Sequence, residues 1–241
     1  AEIVAELPAL REMLSPLTTK PKGQVAQRMH MACIPFASTG YLTRMAAVAG
    51  SVADEVLSAI CQHADISRAY VNNGGDIALY LSQGTSLSTA IKGHGGTDLG
   101  RIEIDASDQI GGIATSGRHG RSHSLGIAES VTVLAPSAAA ADVAATLIAN
   151  AVDLPGHPAI TRRAACELDE ASDLGDLPVV TGCDPLSAAE CTRALAAGKR
   201  RADDFQRQGL INMAALFLQG HVATSPSYLL TPSKEPIHVQ A

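Results

Sequence analysis

Apolar residues recur with helical spacing in four stretches of the chain and with strand-like spacing in several others. The predicted helices cover 2–14, 44–62, 137–152 and 187–207. The third is rich in alanine, with Ser137 as its N-cap and Pro155 beyond its end. The predicted strands are shorter and cover 70–72, 77–81, 88–92, 101–105, 130–134, 177–181 and 210–218. Between them we predict a turn at 93–96 and a region that is mostly loop at 155–184.

Composition indicates a globular chain with a sizeable apolar core. Of 241 residues, 46% are hydrophobic and 17% charged, and this length and composition predict a single domain over 1–241 with room for two lobes. Pro226, Pro232 and Pro236 predict an extended tail from about 222 to 241. The formal net charge of −6 argues against a nucleic-acid binder or a protein that binds anionic membranes. Aromatic residues make up only 3%, and such an alanine-rich, aromatic-poor surface is compatible with a homodimer.

Cysteine usage and hydropathy favour the cytoplasm. The five cysteines are scattered and form no C-x-x-C pair, so neither a zinc site nor a disulfide framework is indicated. No run of about 18 uncharged apolar residues predicts a transmembrane helix. Because the sequence begins at Ala1 and not at Met, a trimmed N-terminal leader stays an alternative.

Two of the polar residues inside the alanine-rich helix predicted at 137–152 are candidates for binding a metal ion. Asp142 and Thr146 are four residues apart, so they share one face of a helix. A carboxylate in apolar surroundings needs a partner, and a hard cation such as Mg²⁺ is bound by carboxylate and hydroxyl oxygens. The alternative is an exposed aspartate, with the threonine hydroxyl bonded back to its own helix.

Two glycine-rich stretches are further candidates for ligand binding. In 72–76 (N-N-G-G-D), the glycine pair indicates a bulge or a close approach by a ligand, with Asp76 fixing a polar group, or else a hairpin turn. In 115–123, glycines, hydroxyls and two arginines suit phosphate oxygens, whereas the alternative is a solvated basic loop. His119 and His123 are the general acid–base candidates.

Taken in this order, the three features resemble the ApbE family, the FAD:protein FMN transferases. The segment 72–79 is similar to the family's asparagine-glycine-glycine-acid turn, and 113–117 is similar to its A/S-T-S-G segment. The stretch 130–147 resembles the family's strand followed by an A-D-x-x-x-T helix, which is the most specific part of the likeness. The likeness covers about residues 44–152 and is closest to a compact branch with the pattern T-S-G-R-x-G-x-S-x-S-x-G.

The resemblance implies an α+β fold of the T-fold type, with mixed helices and a mainly antiparallel sheet. It also implies FAD and Mg²⁺ as ligands, with FMN transferred to a threonine of an acceptor flavoprotein and AMP released, or FAD hydrolysed to FMN and AMP. Asp142 and Thr146 match the family's metal ligands, which also include a main-chain carbonyl. The implied flavin cleft is lined by Asn73, Gly74, Gly75, Asp76, Thr115, Ser116 and Gly117.

Two departures from the family pattern leave three hypotheses for function. The family's histidine segment, H-I-x-x-P-x-T-G, is replaced by the shorter 118–125, where His123 is the candidate stand-in, and 45–47 replaces a Lys-Gly pair. In the first hypothesis the chain cleaves FAD with Mg²⁺, while Arg118 and Arg121 hold phosphates. In the second it binds a flavin, nucleotide-like or pterin-like molecule without chemistry. In the third it is an enzyme that uses the same scaffold on another substrate.

Overall fold

A computed structural model of the chain describes residues 2–15, 17–63, 65–92 and 98–226. Within these residues the α-helices are α1 (Glu2–Leu10), α2 (Gln24–Cys33), α3 (Val48–His63), α4 (Ala138–Ala151), α5 (Ala165–Leu168) and α6 (Ala188–Arg207). The strands are β1 (Arg68–Asn73), β2 (Asp76–Leu81), β3 (Ser86–Lys92), β4 (Asp98–Asp105), β5 (Gly112–Ser116), β6 (Ser130–Ala135), β7 (Ile160–Ala164), β8 (Pro178–Cys183), β9 (Met213–Leu218) and β10 (His221–Ser225).

The strands form one six-stranded sheet and two separate hairpins. The order in the large sheet is β1-β2-β5-β6-β9-β10, and each neighbouring pair is antiparallel. Strand β3 pairs with β4, and β7 pairs with β8, also in antiparallel fashion. The α+β class with a mainly antiparallel sheet is therefore confirmed.

The large sheet buries apolar side chains on both faces, because successive residues of a strand point to opposite sides. Val131, Val133 and Leu216 belong to a core cluster that includes residues of α4 and α6. Leu134 and Phe217 belong to a second cluster on the other face, which residues of β3 and β4 complete. Helix α4 is thus packed inside the molecule, which explains why alanine and other apolar residues dominate its sequence.

Helices α3 and α4 meet near their N-terminal ends, and each is capped by an aspartate of the other. Asp54 of α3 accepts hydrogen bonds from the N–H groups of Ala138 and Ala139 at the start of α4, at 3.0 Å each. Asp142 of α4 accepts one from the Gly50 N–H in the first turn of α3, also at 3.0 Å. The first N–H groups of a helix have no intrahelical acceptor, so this mutual capping satisfies donors that would otherwise be left unpaired.

A fully buried arginine fixes the N-terminal segment to this core. The Arg44 guanidinium donates to the carbonyl oxygens of Ala9 and Thr19 at 2.7 and 2.8 Å, and its Nε donates to His30 Nδ1 at 3.2 Å. Burial and the adjacent Arg44 charge lower the pKa of His30. The neutral imidazole therefore serves as a hydrogen-bond acceptor for the buried cation.

Several regions differ from the elements expected from the sequence, and α2 and β5 lie where no element was predicted. The helix predicted over 2–14 ends at Leu10. The region 155–184, predicted to be mostly loop, contains β7 and the short helix α5 as well as β8. Strand β7 has the sequence I-T-R-R-A, in which Thr161, Arg162 and Arg163 are consecutive polar residues, so it lacks the apolar alternation that predicts a strand.

Strand β9 is not the last strand, contrary to the prediction for 210–218. A turn at 219–220 leads into β10, which pairs with β9 and occupies 221–225. The predicted tail from about 222 therefore begins too early. The remainder of that tail from 227 onward and the turn predicted at 93–96 lie outside the described residues.

One helical stretch, Arg44–His63, is long and apolar enough to cross a membrane by length and composition, with a mean hydropathy of 1.2. The stretch contains Asp54 and Glu55, so it is not an uncharged apolar run of the kind that predicts a transmembrane helix from sequence. In this fold the stretch packs against α4, β1 and β2. The core helix of a folded domain meets the same criterion of length and composition.

We expect Gly50→Ala to destabilise the protein, because a Cβ atom has no room where α3 meets α4. An added Cβ would lie 2.4 Å from the Ala138 carbonyl oxygen and 2.7 Å from the Ala139 nitrogen, and both are backbone atoms. The expected loss in the free energy of unfolding, measured by urea denaturation, is about 1–3 kcal/mol.

Gly198→Ala in α6 is the matched control for this prediction. Its added Cβ would first meet two buried side chains, Val152 Cγ2 at 2.3 Å and Leu216 Cδ2 at 2.7 Å, so we expect it to destabilise the protein less than a contact with backbone does. Both substitutions gain the same helix propensity. An equal loss of stability in the two variants would contradict the explanation by backbone contact.

Candidate functional site

The first glycine-rich stretch forms a two-residue hairpin turn between β1 and β2. Gly74 and Gly75 have φ angles of 71° and 113°, a backbone region that favours glycine. Asn72 Oδ1 accepts a hydrogen bond from the Gly75 N–H at 2.9 Å, so this N–H is already used within the turn. Asn73 and Asp76 pair across the two strand ends. The hairpin alternative drawn from the sequence is thus correct, and no bulge interrupts a strand here.

This hairpin turn lies against the first turn of α3. Asn73 Nδ2 donates to the Ala49 carbonyl oxygen at 3.1 Å, and the next residue, Gly50, donates its N–H to Asp142. Asp76 lies on the face of β2 that packs against α3 and α4. Two consecutive residues of α3 therefore connect the hairpin turn to Asp142, and they bring the carboxyls of Asp76 and Asp142 into one region.

These two carboxyls are partly buried without a paired cation. Burial raises the pKa of Asp142 well above its ordinary value, and the Asp76 charge raises it further. The hydrogen bonds from the Gly50 and Ala49 N–H groups have the opposite effect on this pKa, but they are outweighed. Burial also raises the pKa of Asp76 to about 6, although the Arg121 charge opposes this shift. Among side chains that the structure describes, no lysine or arginine forms a salt bridge with either carboxylate.

Asp142 is the first residue of a polar stripe along α4. Thr146 and Asn150 follow at intervals of four residues, so all three lie on one partly exposed face of the helix. Asn150 Oδ1 accepts a hydrogen bond from the Leu125 N–H at 2.9 Å. The stripe therefore extends from the mutual cap at Asp142 to the base of the loop 117–129, with Thr146 between them.

The second hairpin, β7–β8, holds the base of this loop from the other side. Arg162 donates to the Leu125 carbonyl oxygen at 2.5 Å, and the Val180 N–H donates to the Ser124 carbonyl oxygen at 2.8 Å. Residues 119–123 remain exposed. The predicted alternative of a solvated basic loop thus describes the tip, whereas the base is firmly attached to the fold.

Thr115 and Ser116 end β5 and point to opposite faces of the sheet. The Thr115 hydroxyl oxygen lies 2.9 Å from that of Thr132, on the face away from α4. Ser116 lies on the helix-facing side, as does Asp76. Thr115 reaches Asp76 through its backbone N–H. This hydrogen bond opposes the rise in the pKa of Asp76 that burial causes. Gly117, with φ of 151°, lies so close to the Glu129 carbonyl that an added Cβ would be 2.4 Å from that oxygen.

The two arginines of the loop have different partners. Arg118 Nη2 lies 3.5 Å from Glu129 Oε1, toward the β6 side of the sheet. Arg121 Nη2 donates to the Gly74 carbonyl oxygen at 3.3 Å. His119 and His123 are exposed, and no hydrogen bond joins His123 to the described carboxylates. The structure thus brings Arg121 to the hairpin turn but does not bring Arg118 there.

The residues around Asp142 fit a hard divalent cation. Two carboxylates that form no salt bridge with the described lysines and arginines provide negative charge, and the Thr146 hydroxyl lies on the same helix face as Asp142. Oxygen donors of this kind are those that Mg²⁺ prefers, together with water. Within the described part of the chain no group of three histidine, cysteine or acidic residues has the arrangement of a metal site. A cation here would therefore rely on hydroxyl, carbonyl or water oxygens as well.

Three residues that matter to this site were not among the candidates from the sequence. Asn150 fixes the loop, and its spacing from Asp142 and Thr146 was a signal that could have identified it. Gly50 and Asp54 fix the relation of α3 to α4, but their partners are 92 and 84 residues away along the chain. No local pattern connects residues at such separations.

We expect Asp76→Asn to stabilise the protein at neutral pH. The folded pKa of Asp76 is about 6, above the ordinary value of 3.8 that applies in the unfolded chain. A carboxyl whose folded pKa is raised contributes stability at low pH, and that contribution is lost as pH rises through the folded pKa. Asparagine does not ionise, so the variant should gain about 1–2 kcal/mol in free energy of unfolding at neutral pH and nothing near about pH 4.

Urea denaturation at several pH values measures this difference, and the exposed Asp65→Asn is the control for a lost surface charge. Asp65→Asn should change stability by less than about 0.5 kcal/mol at each pH. A gain for Asp76→Asn that does not depend on pH would contradict the assignment of the effect to ionisation.

Comparisons with known proteins assign the chain to a family. A family model described as AbpE bacteria matches residues 1–224. A UPF0280 protein of Methanopyrus kandleri is 33% identical over 186 residues, which cover 72% of this chain and 68% of that protein. UPF0280 proteins of Methanococcus maripaludis and Methanococcus vannielii are 37% and 40% identical over 111 and 114 residues, covering 44% of each chain. The chain therefore belongs to the AbpE bacteria family and is a relative of these UPF0280 proteins.

Proposed function

We propose that the chain cleaves a flavin nucleotide, FAD, with the help of Mg²⁺ and passes FMN to a protein threonine or to water. The observation that supports this most is the juxtaposition of Asp76 and Asp142, two partly buried carboxyls with raised pKa values that form no salt bridge with a described lysine or arginine. Perturbed carboxyls of this kind concentrate at functional sites. The choice of FAD rests on the motifs that resemble those of ApbE proteins.

In this proposal Asp142 and Thr146 hold the cation through carboxylate and hydroxyl oxygens. Asp76 adds a second negative charge beside Asp142. When bound, a divalent cation neutralises the negative charge that develops on the pyrophosphate as the P–O bond breaks. Asp142 already has a fixed orientation, because the Gly50 N–H holds one of its oxygens.

The nucleotide is proposed to lie along the sheet edge formed by the hairpin turn and the end of β5. Nothing lies within 4 Å of a Cβ added at Gly75, so a phosphate can approach the backbone of the hairpin turn closely at this residue. Arg121 reaches the edge from the loop and provides charge-assisted hydrogen bonds to phosphate oxygens. Arg118 would have to leave Glu129 before it could do the same.

The proposed reaction replaces one P–O bond with another. A threonine hydroxyl of an acceptor flavoprotein, or water, attacks the phosphorus atom of the FMN half of FAD. The bond between that phosphorus and the bridging oxygen breaks, and AMP leaves with the bridging oxygen. His123 is the proposed acceptor of the proton that the attacking hydroxyl loses.

A binding protein without chemistry is the second candidate, and the exposure of His123 favours it. The ring lies on the exposed loop tip and makes no hydrogen bond to the carboxylates. In this version a flavin or nucleotide-like molecule occupies the same edge and stays intact. The two candidates differ in whether AMP appears.

We expect purified protein to release AMP from FAD only when Mg²⁺ is present. Chromatography of the nucleotides measures AMP and FMN, and thermal shift in the same samples measures binding. Asp142→Asn should lower the rate of AMP release at least about a hundredfold, because it removes a charged ligand of the cation. Asp65→Asn is the control, with the same change of charge at an exposed site.

Three other results would contradict part or all of this proposal. Equal AMP release by Asp142→Asn and by the wild type would contradict the proposed metal site. A thermal shift with FAD but without AMP would favour the binding protein. If FAD produces no thermal shift and no AMP is released, a flavin nucleotide is rejected as the ligand.

We expect His123→Gln to lower the rate of AMP release about tenfold or more, because general acid–base groups typically contribute factors of this size. The thermal shift with FAD should stay the same, since the side chain is proposed to transfer a proton and not to hold the ligand. His63→Gln, which alters another exposed histidine, is the control. An unchanged rate in His123→Gln would remove His123 from the mechanism.

A further inference from the structure

The guanidinium of Arg121 lies directly against the backbone of Gly74. A Cβ atom added at Gly74 would be 1.8 Å from Arg121 Nη2 and 2.7 Å from Cζ, so any other residue at this position would displace the arginine. The same Nη2 donates to the Gly74 carbonyl oxygen at 3.3 Å. The hairpin turn thus holds the Arg121 guanidinium in the space that a side chain at position 74 would occupy.

This cation lies beside the carboxyl pair without being bonded to it. Gly74 precedes Asp76 by two residues, and Asn73 attaches the turn to the α3 residue next to the one that binds Asp142. The Arg121 charge acts on Asp76, yet the two side chains form no salt bridge. The neighbouring Arg118 is directed toward Glu129. Arg121 is therefore positioned to influence the carboxyl pair while remaining able to move.

We propose that Arg121, held on Gly74, is the counter-cation of the Asp76–Asp142 pair and lowers its affinity for a divalent cation until a ligand phosphate attracts the guanidinium away. This inference rests on the metal site proposed above. Like charges repel, so a guanidinium beside the pair weakens the binding of a second cation there. A single bond at 3.3 Å on an exposed side chain is weak, and its exchange for a phosphate costs little.

Two consequences follow from this arrangement. Metal and nucleotide bind with positive cooperativity, because the phosphate removes the charge that opposes the metal, and this coupling is reciprocal. Gly74 is required for a reason beyond the turn conformation, since it provides the space in which Arg121 lies.

Titration calorimetry with Mn²⁺ alone, in the absence of nucleotide, tests the inference on the full chain. Arg121→Gln should bind Mn²⁺ about tenfold more tightly than the wild type, as expected for the loss of one nearby, partly screened charge. Arg200→Gln, an exposed substitution on α6 with the same change of net charge, should alter the affinity by less than about twofold. Melting temperatures verify that each variant is folded.

A second pair of variants moves the arginine without removing its charge. Gly74→Ala should displace Arg121 and tighten Mn²⁺ binding in the same direction as Arg121→Gln. Gly75→Ala is the matched control, because its φ is also positive but nothing lies within 4 Å of its added Cβ. Gly75→Ala should therefore leave the Mn²⁺ affinity within about twofold of the wild type.

The outcomes separate this inference from the proposed function. If Arg121→Gln and the wild type bind Mn²⁺ equally, the inference is overturned and the metal site stands. If neither binds Mn²⁺, both are overturned. If the tighter binding of Arg121→Gln disappears when Asp142→Asn is added, the inference is supported. If it persists in that double variant, the cation lies elsewhere and the inference is wrong.

Discussion

The start of α3 and the start of α4 lie against each other, and each presents N–H groups that its own helix cannot satisfy. Asp54 and Asp142 provide the acceptors across this contact. Gly50 allows the two backbones to approach so closely, since any Cβ there would meet the Ala138 carbonyl. The hairpin turn of the sheet is then attached to the same place through Asn73. A single helix contact thus arranges both the core and the candidate site.

Asp142 has two tasks in this arrangement, and they oppose each other energetically. As a cap it accepts N–H bonds, which favour its ionised form. As a neighbour of Asp76 it is a buried negative charge beside another, which disfavours that form. The unpaired negative charge destabilises the fold but is what a cation would bind. Sites commonly retain local strain of this kind because function requires it.

The sequence predicts much of the secondary structure here because local rules determine it. The short buried run of β6, the Ser137 cap and the charged second half of α6 are each visible within a few residues. The faces of Thr115 and Ser116 also follow from strand periodicity, yet the family likeness alone placed both in one cleft. Long-range relations are different, because nothing near Asp54 in the sequence indicates that its carboxyl will cap a helix 84 residues later.

The Gly50 N–H has a further significance, since it belongs to the helix backbone and points at a carboxylate of the site. The chemical shift of an amide depends on the charge of its acceptor, so this signal in an NMR spectrum would respond when Asp142 gains a proton or a cation. Its exchange with solvent deuterium would likewise record how often α3 and α4 separate. One backbone amide therefore connects the electrostatic state of the site with the opening motions of the fold.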